Sequence, residues 1–281
     1  MIATIASGFG RLWRFQLRPP AATIHLIKAI RRRRLFRKLF RNSQRFVRRN
    51  FYPSDTVIQV LTGPFRGLRY LDEIVFGPIT PKWLGSYESE IQDIIEAICQ
   101  REYRRIINLG CAEGYYAVGL AWRNPNCRVF AFDTDPLSRM QVRRLAKINS
   151  ISDRITVRGH CSHDELQRLA VCRSLFLIDI EGHEMSLLDP LKVPAIRQAD
   201  ILVEVHDVDS PNDPSTAESR LRDRFDRSHT IERRIPSDRS AWIQLNSEVW
   251  HRRLTQPEAL HATNEFRSGR QLWLWMQARQ P

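Results

Sequence analysis

The stretch Arg105-Ile-Ile-Asn-Leu-Gly110-Cys-Ala-Glu-Gly114-Tyr-Tyr-Ala-Val-Gly-Leu120 decides the fold. It begins as a short apolar run, Ile106, Ile107 and Leu109, which reads as a fully buried strand. The chain then turns on two glycines, and apolar residues return at helical spacing: Tyr116, Ala117, Leu120 and Ala121. Strand, glycine turn and helix together open a nucleotide-type α/β unit. Gly110 lets the chain leave the strand with a positive φ, and Gly114 lets the helix approach the sheet closely. The helix start offers unpaired N–H groups and a positive dipole end to polar groups of a ligand.

Downstream, the same alternation repeats. Cys127–Phe132 is a second buried strand ending in Asp133-Thr-Asp135-Pro136. Asp133 lies 19 residues beyond Gly114, near the offset of about 20 at which an acid meets ribose hydroxyls in a Rossmann-like unit. Pro136 opens a helix through about Lys147, and Ile155–Arg158 is a third strand leading to Gly159-His160-Cys161. Ser174–Asp179 is a fourth strand, followed by a helix over Met185–Leu191, and Ala199–Val203 is a fifth strand ending in Glu204-Val-His206-Asp207. Residues 208–215 read as a loop and Thr216–Arg227 as a helix, with His229–Arg233 and Gln271–Met276 as a closing strand pair. The stretch 236–270 reads as irregular. Strands alternating with helices give an α/β, doubly wound, mostly parallel sheet.

Upstream, Val57–Leu61 and Leu68–Leu71 flank Thr62-Gly-Pro-Phe-Arg-Gly67, a hairpin-like pattern. Pro78 and Pro81 then break the chain. An amphipathic helix with Ile91, Ile94, Ile95 and Ile98 inside starts near Ser86.

The 281 residues carry a net charge of +13, but unevenly. Met1 to Ser54 holds 14 Lys or Arg and no acid, so the remaining 227 residues sum to 13 − 14 = −1. The basic character belongs to an N-terminal arm. In it Leu35, Phe36, Leu39, Phe40, Phe46 and Val47 share one helical face among arginines, the pattern of a peripheral contact with an anionic membrane surface or of a face packed on the body. Flotation with anionic liposomes, compared with an arm-deleted chain, tests the contact. Nucleic acid is a weaker partner, because the site itself is not basic. No apolar run spans a bilayer. The five cysteines form no Cys-x-x-Cys pair and read as reduced, mostly buried thiols of a cytoplasmic protein, on the inner side of any membrane the arm touches.

Four stretches, INLGCAEGYY, VFAFDTDP, LFLIDIEGHEMSLL and ADILVEVHD, come in this order at strand ends. With them the chain resembles the class I S-adenosylmethionine-dependent methyltransferases, and within these the FkbM-type family, over roughly Thr80 to Asp207. The Asp-x-Glu-Gly-x-Glu of the third stretch carries most of the likeness. The resemblance implies a Rossmann-like sheet of seven strands, the last antiparallel, with S-adenosylmethionine as cofactor. It also implies methyl transfer to a hydroxyl of a sugar, glycolipid or secondary metabolite. With the charge and pattern read above, the chain divides into a basic arm (1–54), a lead-in hairpin and helix (55–104) and a methyltransferase domain (105–281). The sequence departs from the family at Asn108, where the family carries an acid; an Asn still accepts from the cofactor's ammonium, and Glu113 stands ready to compensate.

Cofactor-contacting candidates are Asn108, Gly110, Cys111, Ala112, Glu113, Gly114, Asp133, His160, Cys161, Asp179 and Tyr87. Asp133 takes the ribose, the Gly110–Gly114 backbone the methionine end, and His160 and Cys161 sit where the family meets the adenine. Tyr87 and its neighbour Glu88 are placed to close over the cofactor. Methyl transfer to a hydroxyl needs an aligned acceptor, a dry pocket and a base. The catalytic candidates are Glu181, His206 and Glu204, while Glu184 reads as a residue of the helix's first turn. Asp179, Glu181, Glu204 and His206 have the donor atoms for a divalent cation, but the resemblance gives no support for one, and no metal is expected.

Two rival functions remain readable. One is a cofactor-binding, non-catalytic module tethered by the arm. The other, weaker, is an NAD(P)-dependent oxidoreductase, which suffers because Ala112 replaces the central Gly of Gly-x-Gly-x-x-Gly.

Overall fold

The structure, a computed structural model, describes residues 43–53, 56–74, 77–206, 215–236, 238–267 and 271–279. Most of the basic arm, including Leu35, Phe36, Leu39 and Phe40, and nearly all of the loop after Asp207, lie outside the described residues. In chain order the elements are α1 (residues 43–51), α2 (Thr80–Leu84), α3 (Gln92–Gln100), β1 (Arg105–Leu109), α4 (Tyr115–Arg123), β2 (Arg128–Phe132), α5 (Pro136–Ile148), β3 (Ile155–Arg158), α6 (His163–Leu169), β4 (Ser174–Ile178), α7 (Glu184–Leu187), β5 (Asp200–Val205), α8 (Ser215–Phe225), β6 (His229–Arg234), α9 (Arg239–Leu245), α10 (Ser247–Trp250), α11 (Gln256–Ala262) and β7 (Leu272–Ala278).

The seven strands form one sheet in the order β3-β2-β1-β4-β5-β7-β6. Neighbours from β3 to β5 pair in parallel, and β7 runs antiparallel between β5 and β6. This is the Rossmann-like arrangement expected, with the last strand reversed. Because helices cover both faces, the inner strands are apolar on both sides rather than alternating with polar residues. Ile106, Val129, Leu175, Leu177, Trp273 and Trp275 face a core shared with α3, α4 and α5. Their neighbours Ile107, Phe176, Ile178, Leu274 and Met276 face the opposite core with α6 and α8.

Strand order reverses between β1 and β4, and open α/β sheets bind ligands beyond the strand ends at such a point. The lead-in is continuous with the first core: Val47 and Phe51 of α1, Phe65 and Trp83 are all buried in it. Phe65 lies so close over α4 that a Cβ on Gly119 would sit 2.7 Å from its ring.

Several elements differ from the sequence reading. The hairpin at 57–71 is reduced to one bridge, Gln59 with Arg69, flanked by Val60 N–H to Leu68 O (2.9 Å) and Tyr70 N–H to Ile58 O (2.8 Å). Its side chains are drawn into the core instead of into a longer ladder. Pro81 does not break the chain but opens α2, since a helix's first turn has no use for the missing N–H. The next helix starts later than Ser86, with a tight turn at Ser89–Ile91 before α3. The helix after β4 is a single turn, α7, ending before Pro190. The stretch 236–270 is not irregular: it holds α9, α10 and α11, the last opened by a Thr255/Glu258 capping box. All five cysteines are free; Cys111, Cys127 and Cys161 are buried and Cys172 is exposed. Among the described residues no helix is long and apolar enough to cross a membrane.

Candidate active site

At the end of β1 the backbone must turn beneath the end of β4. Gly110 has φ +76°, and a Cβ there would stand 1.5 Å from the Asp179 carbonyl oxygen. The Gly110 and Cys111 N–H groups both donate to Phe132 O, at 2.9 and 3.0 Å. Ala112 also has a positive φ, +45°, and its N–H donates to Asp133 Oδ2 at 2.9 Å. The other carboxylate oxygen, Asp133 Oδ1, accepts from Asp135 N–H at 2.8 Å. Asp133 thus ties the loop after β1 to the loop after β2, while a carboxylate keeps further lone pairs for a ligand. Burial raises its pKa, only partly opposed by the Asp135 and Ala112 N–H groups.

These loops form one wall of a cavity of about 650 Å³, within the range of small-molecule sites. On that wall stand Gly110, Ala112, Asp133, Thr134, His160 and Cys161; the facing wall carries Lys82, Tyr87, Glu88, Asp179, Glu181, Glu204, Glu265 and Arg267. His160 is exposed at the rim and Cys161 is buried.

Asn108, Cys111 and Glu113 do not reach this cavity. They line a void of about 30 Å³ behind the loop, with Lys82, Tyr87 and Asp179 on its other sides. Gly114 lines neither space; a Cβ there would crowd Val118 and Val142, so its role is to let α4 approach α5. Glu113 is fully buried, accepts from Tyr70 Oη at 2.6 Å and forms an ion pair with the buried Lys82. Lys82 Nζ also lies 4.5 Å from the centre of the Tyr87 ring. Three buried acceptors around this void have no partner among the described residues: Asn108 Oδ1, Glu113 Oε2 and Asp179 Oδ1. Asn108 Nδ2 donates to Leu177 O at 3.3 Å, which orients the amide with its oxygen free.

The facing wall is acidic. Asp179 follows β4, Glu204 lies in β5 and His206 follows it. Burial pushes the Asp179 carboxyl up to about 6, with the His206 charge pulling the other way. Burial, then the Asp179 and Glu88 charges, drive Glu204 far above the carboxylate range, and it shares a hydrogen bond with Asp179. These surroundings work against the charged form of Glu204. Glu184 is fully buried, and its Oε1 accepts from Ile180 N–H (3.2 Å) and Gly182 N–H (3.1 Å) and lies 3.1 Å from His206 Nδ1. It fastens the loop after β4 and orients His206, as its structural reading requires.

Glu181 is at the cavity mouth with φ +53° and its side chain 85% exposed. His206 stands just behind the wall, its Nε2 3.9 Å from Glu181 Oε2 and 3.7 Å from Glu204 Oε2. Burial pulls its pKa down, but the Glu184 hydrogen bond and the Asp179, Glu184 and Glu181 charges outweigh it and raise the imidazole above its ordinary value.

Arg267 closes the wall, reaching Glu265 (2.6 Å), Glu90 (2.7 Å), Glu88 (3.3 Å) and Glu204 (3.8 Å). Glu88, at φ +48°, accepts from Tyr116 Oη, and burial pushes its carboxyl up to about 8 against the pull of Arg267. Sequence reasoning missed Lys82, Glu265 and Arg267. Pro81 at a helix start was a signal for the turn that carries Lys82; Arg267 had none, because its partners Glu88 and Glu90 are more than 170 positions away.

No protein-family model matches the sequence, and no curated protein matches it. Among solved structures, the chain is similar to a protein from Clostridium thermocellum provisionally assigned as an rRNA methylase. There the identity is 12%, the coverage 68% of this chain and 97% of that one, and the TM-score 0.46. It is also similar to the O-methyltransferase TomG from Streptomyces achromogenes in complex with SAM (12%; 64% and 75%; 0.42). A third is the O-methyltransferase from Bacillus cereus in complex with SAH (13%; 64% and 77%; 0.41). At these identities and TM-scores they carry no argument about activity; the fold rests on the strand order itself.

Proposed function

We propose that this chain is an S-adenosylmethionine-dependent methyltransferase acting on a hydroxyl of an uncharged small molecule or carbohydrate. One observation carries the reading: the glycine loop after β1 and the acid after β2 line a single cavity of about 650 Å³ at the reversal of strand order. The residues fit the cofactor's chemistry. Asn108 Oδ1 and Glu113 Oε2 are buried acceptors without partners among the described residues, which suits an ammonium group. Lys82, at the border of void and cavity, suits a carboxylate. Asp133 is the ribose contact, with His160 and Cys161 at the base and Tyr87 as cover. Glu113 supplies, beside Asn108, the negative charge that Asn108 lacks.

When bound, the cofactor supplies an activated methyl group on a sulfonium. This chain's part is to orient the acceptor, exclude water behind Tyr87 and accept the hydroxyl proton. His206 Nε2 and the Glu181 carboxylate are assigned the last task, with Glu204 Oε2 3.7 Å from His206 Nε2 beside them. The carboxylates of the facing wall disfavour phosphorylated acceptors, which supports a sugar or another polyol.

Calorimetry with S-adenosylmethionine and, separately, NADH tests the reading. Saturable S-adenosylmethionine binding that disappears in Asp133→Ala supports it; binding of NADH alone refutes it. His206→Ala is expected to keep cofactor binding and to slow transfer by about 10²–10⁴-fold. Binding without turnover on any hydroxylated acceptor moves the function to a tethered, non-catalytic module.

A further inference from the structure

We infer that Asp179, Glu181 and His206 form a binding site for one divalent first-row cation at the acceptor side of the cavity. The site goes beyond the methyltransferase reading and does not depend on it. One carboxylate oxygen from each acid and a ring nitrogen of His206 lie within 4.8 Å of one another. His206 Nε2 is buried and has no hydrogen-bond partner among the described residues, and neither has Asp179 Oδ1.

The spacing leaves His206 Nε2 outside the hydrogen bonds of the cluster. His206 Nε2 is 3.9 Å from Glu181 Oε2 and 3.7 Å from Glu204 Oε2, beyond the reach of a hydrogen bond. Two atoms that bind one ion at about 2.1 Å stand about 3 to 4 Å apart; the 3.9 Å between His206 and Glu181 has that dimension, and the set as a whole, within 4.8 Å, closes on an ion by a small side-chain movement. The imidazole is also prepared for it. Glu184 Oε1 takes the Nδ1 side at 3.1 Å, while the same oxygen is held by Ile180 and Gly182 N–H. With its proton on Nδ1, the ring turns the Nε2 lone pair toward the acids, the carboxylate–histidine arrangement that orients metal ligands elsewhere.

Charge points the same way. Among the described residues no Lys or Arg forms an ion pair with Asp179 or Glu181, and Arg267 is shared by Glu88, Glu90, Glu265 and Glu204. One imidazole and two carboxylates form a mixed donor set that suits an ion such as Mn²⁺ better than a purely oxygen-seeking one. A cation there polarises a hydroxyl oxygen that enters the cavity and lowers its pKa; with it bound, His206 and Glu181 serve as ligands instead of as the proton acceptors.

The test uses the full chain, stripped of metal by chelation and without S-adenosylmethionine. Mn²⁺ is titrated and followed by calorimetry and by electron paramagnetic resonance. One Mn²⁺ per chain is expected, weakened about tenfold or more in Asp179→Asn, with a nitrogen coupling in the pulsed spectrum that vanishes in His206→Ala. Glu181→Gln, on an exposed side chain that the fold does not use, weakens binding without changing thermal unfolding. Asp189→Asn, in a turn outside the site, leaves it unchanged. Wild-type protein that takes up no stoichiometric Mn²⁺ overturns the site. So does Mn²⁺ held equally by wild type and Glu181→Gln with no nitrogen coupling. Neither outcome touches the cofactor reading, which calorimetry with S-adenosylmethionine decides separately.

Discussion

The two walls of the cavity are built by different means. The wall after β1 and β2 is made by backbone: Gly110 passes where a Cβ would collide with Asp179 O at 1.5 Å, and Ala112 N–H rests on Asp133. The facing wall is made by buried charge. There Arg267 holds Glu88, Glu90, Glu265 and Glu204. A backbone wall tolerates almost no change at a few positions and nearly any change elsewhere. A wall of buried ions tolerates changes of shape but not the loss of one partner.

The sharpest way to break this contrast is Gly110→Ala. With φ +76° and no room for a Cβ, the variant is expected to lose at least roughly 4 kcal/mol or to fail to fold. A soluble variant with the wild-type urea midpoint would show that the loop yields and that its geometry is not backbone-determined. Next comes Arg267→Ala, which leaves Glu88, Glu90 and Glu204 without their cation and Glu265 with Arg239 alone, and is expected to cost about 3–5 kcal/mol, read as a shift in the urea midpoint. An unchanged midpoint would mean that the carboxylates take up protons and no longer need the arginine.

The third effect is gradual, a dependence on pH. Glu88 titrates near 8 in the fold against 4.5 as its ordinary value, so the folded state keeps a proton that the unfolded chain has released. The stabilisation from this group is complete below pH 4.5 and is lost as pH rises through about 8, at no more than about 1.4 kcal/mol per pH unit. Glu88→Gln should therefore show a flatter fall in stability over that window than wild type. Parallel curves for the two proteins would remove Glu88 from the ledger of buried charge.

The same contrast explains what the sequence made legible. Gly110, Gly114, Asp133 and the run ending in Asp179-Ile-Glu-Gly are local patterns, because the constraint that selects them acts within a single strand–turn–helix unit. The apolar runs at 106–109, 129–132 and 174–178 likewise announce strands covered on both faces. Arg267 and Lys82 are different, since an isolated basic residue in a polar stretch looks solvated. Only the fold shows that Lys82 meets Glu113, and Arg267 meets Glu88, with all four side chains largely buried. The helices at 239–262 were within reach: Thr255-x-x-Glu258 is a capping box and Asp238 caps α9. They were obscured because the neighbouring residues show no clear apolar period.

The position of β7 has a consequence for the order in which the protein can be made. Leu272–Ala278 lies between β5 and β6, yet it leaves the ribosome after both. Until residue 278 has cleared the exit tunnel, β6 has no neighbour, and β5 presents Ile201, Leu202 and Val203 as an unpaired apolar edge. The nascent chain thus carries its most adhesive surface longest, and the strand that covers it, Leu272-Trp-Leu-Trp-Met276, is itself a sticky segment. Slow translation or an early stop near the end of the message should send this protein to chaperones or aggregates rather than to a shortened but working form.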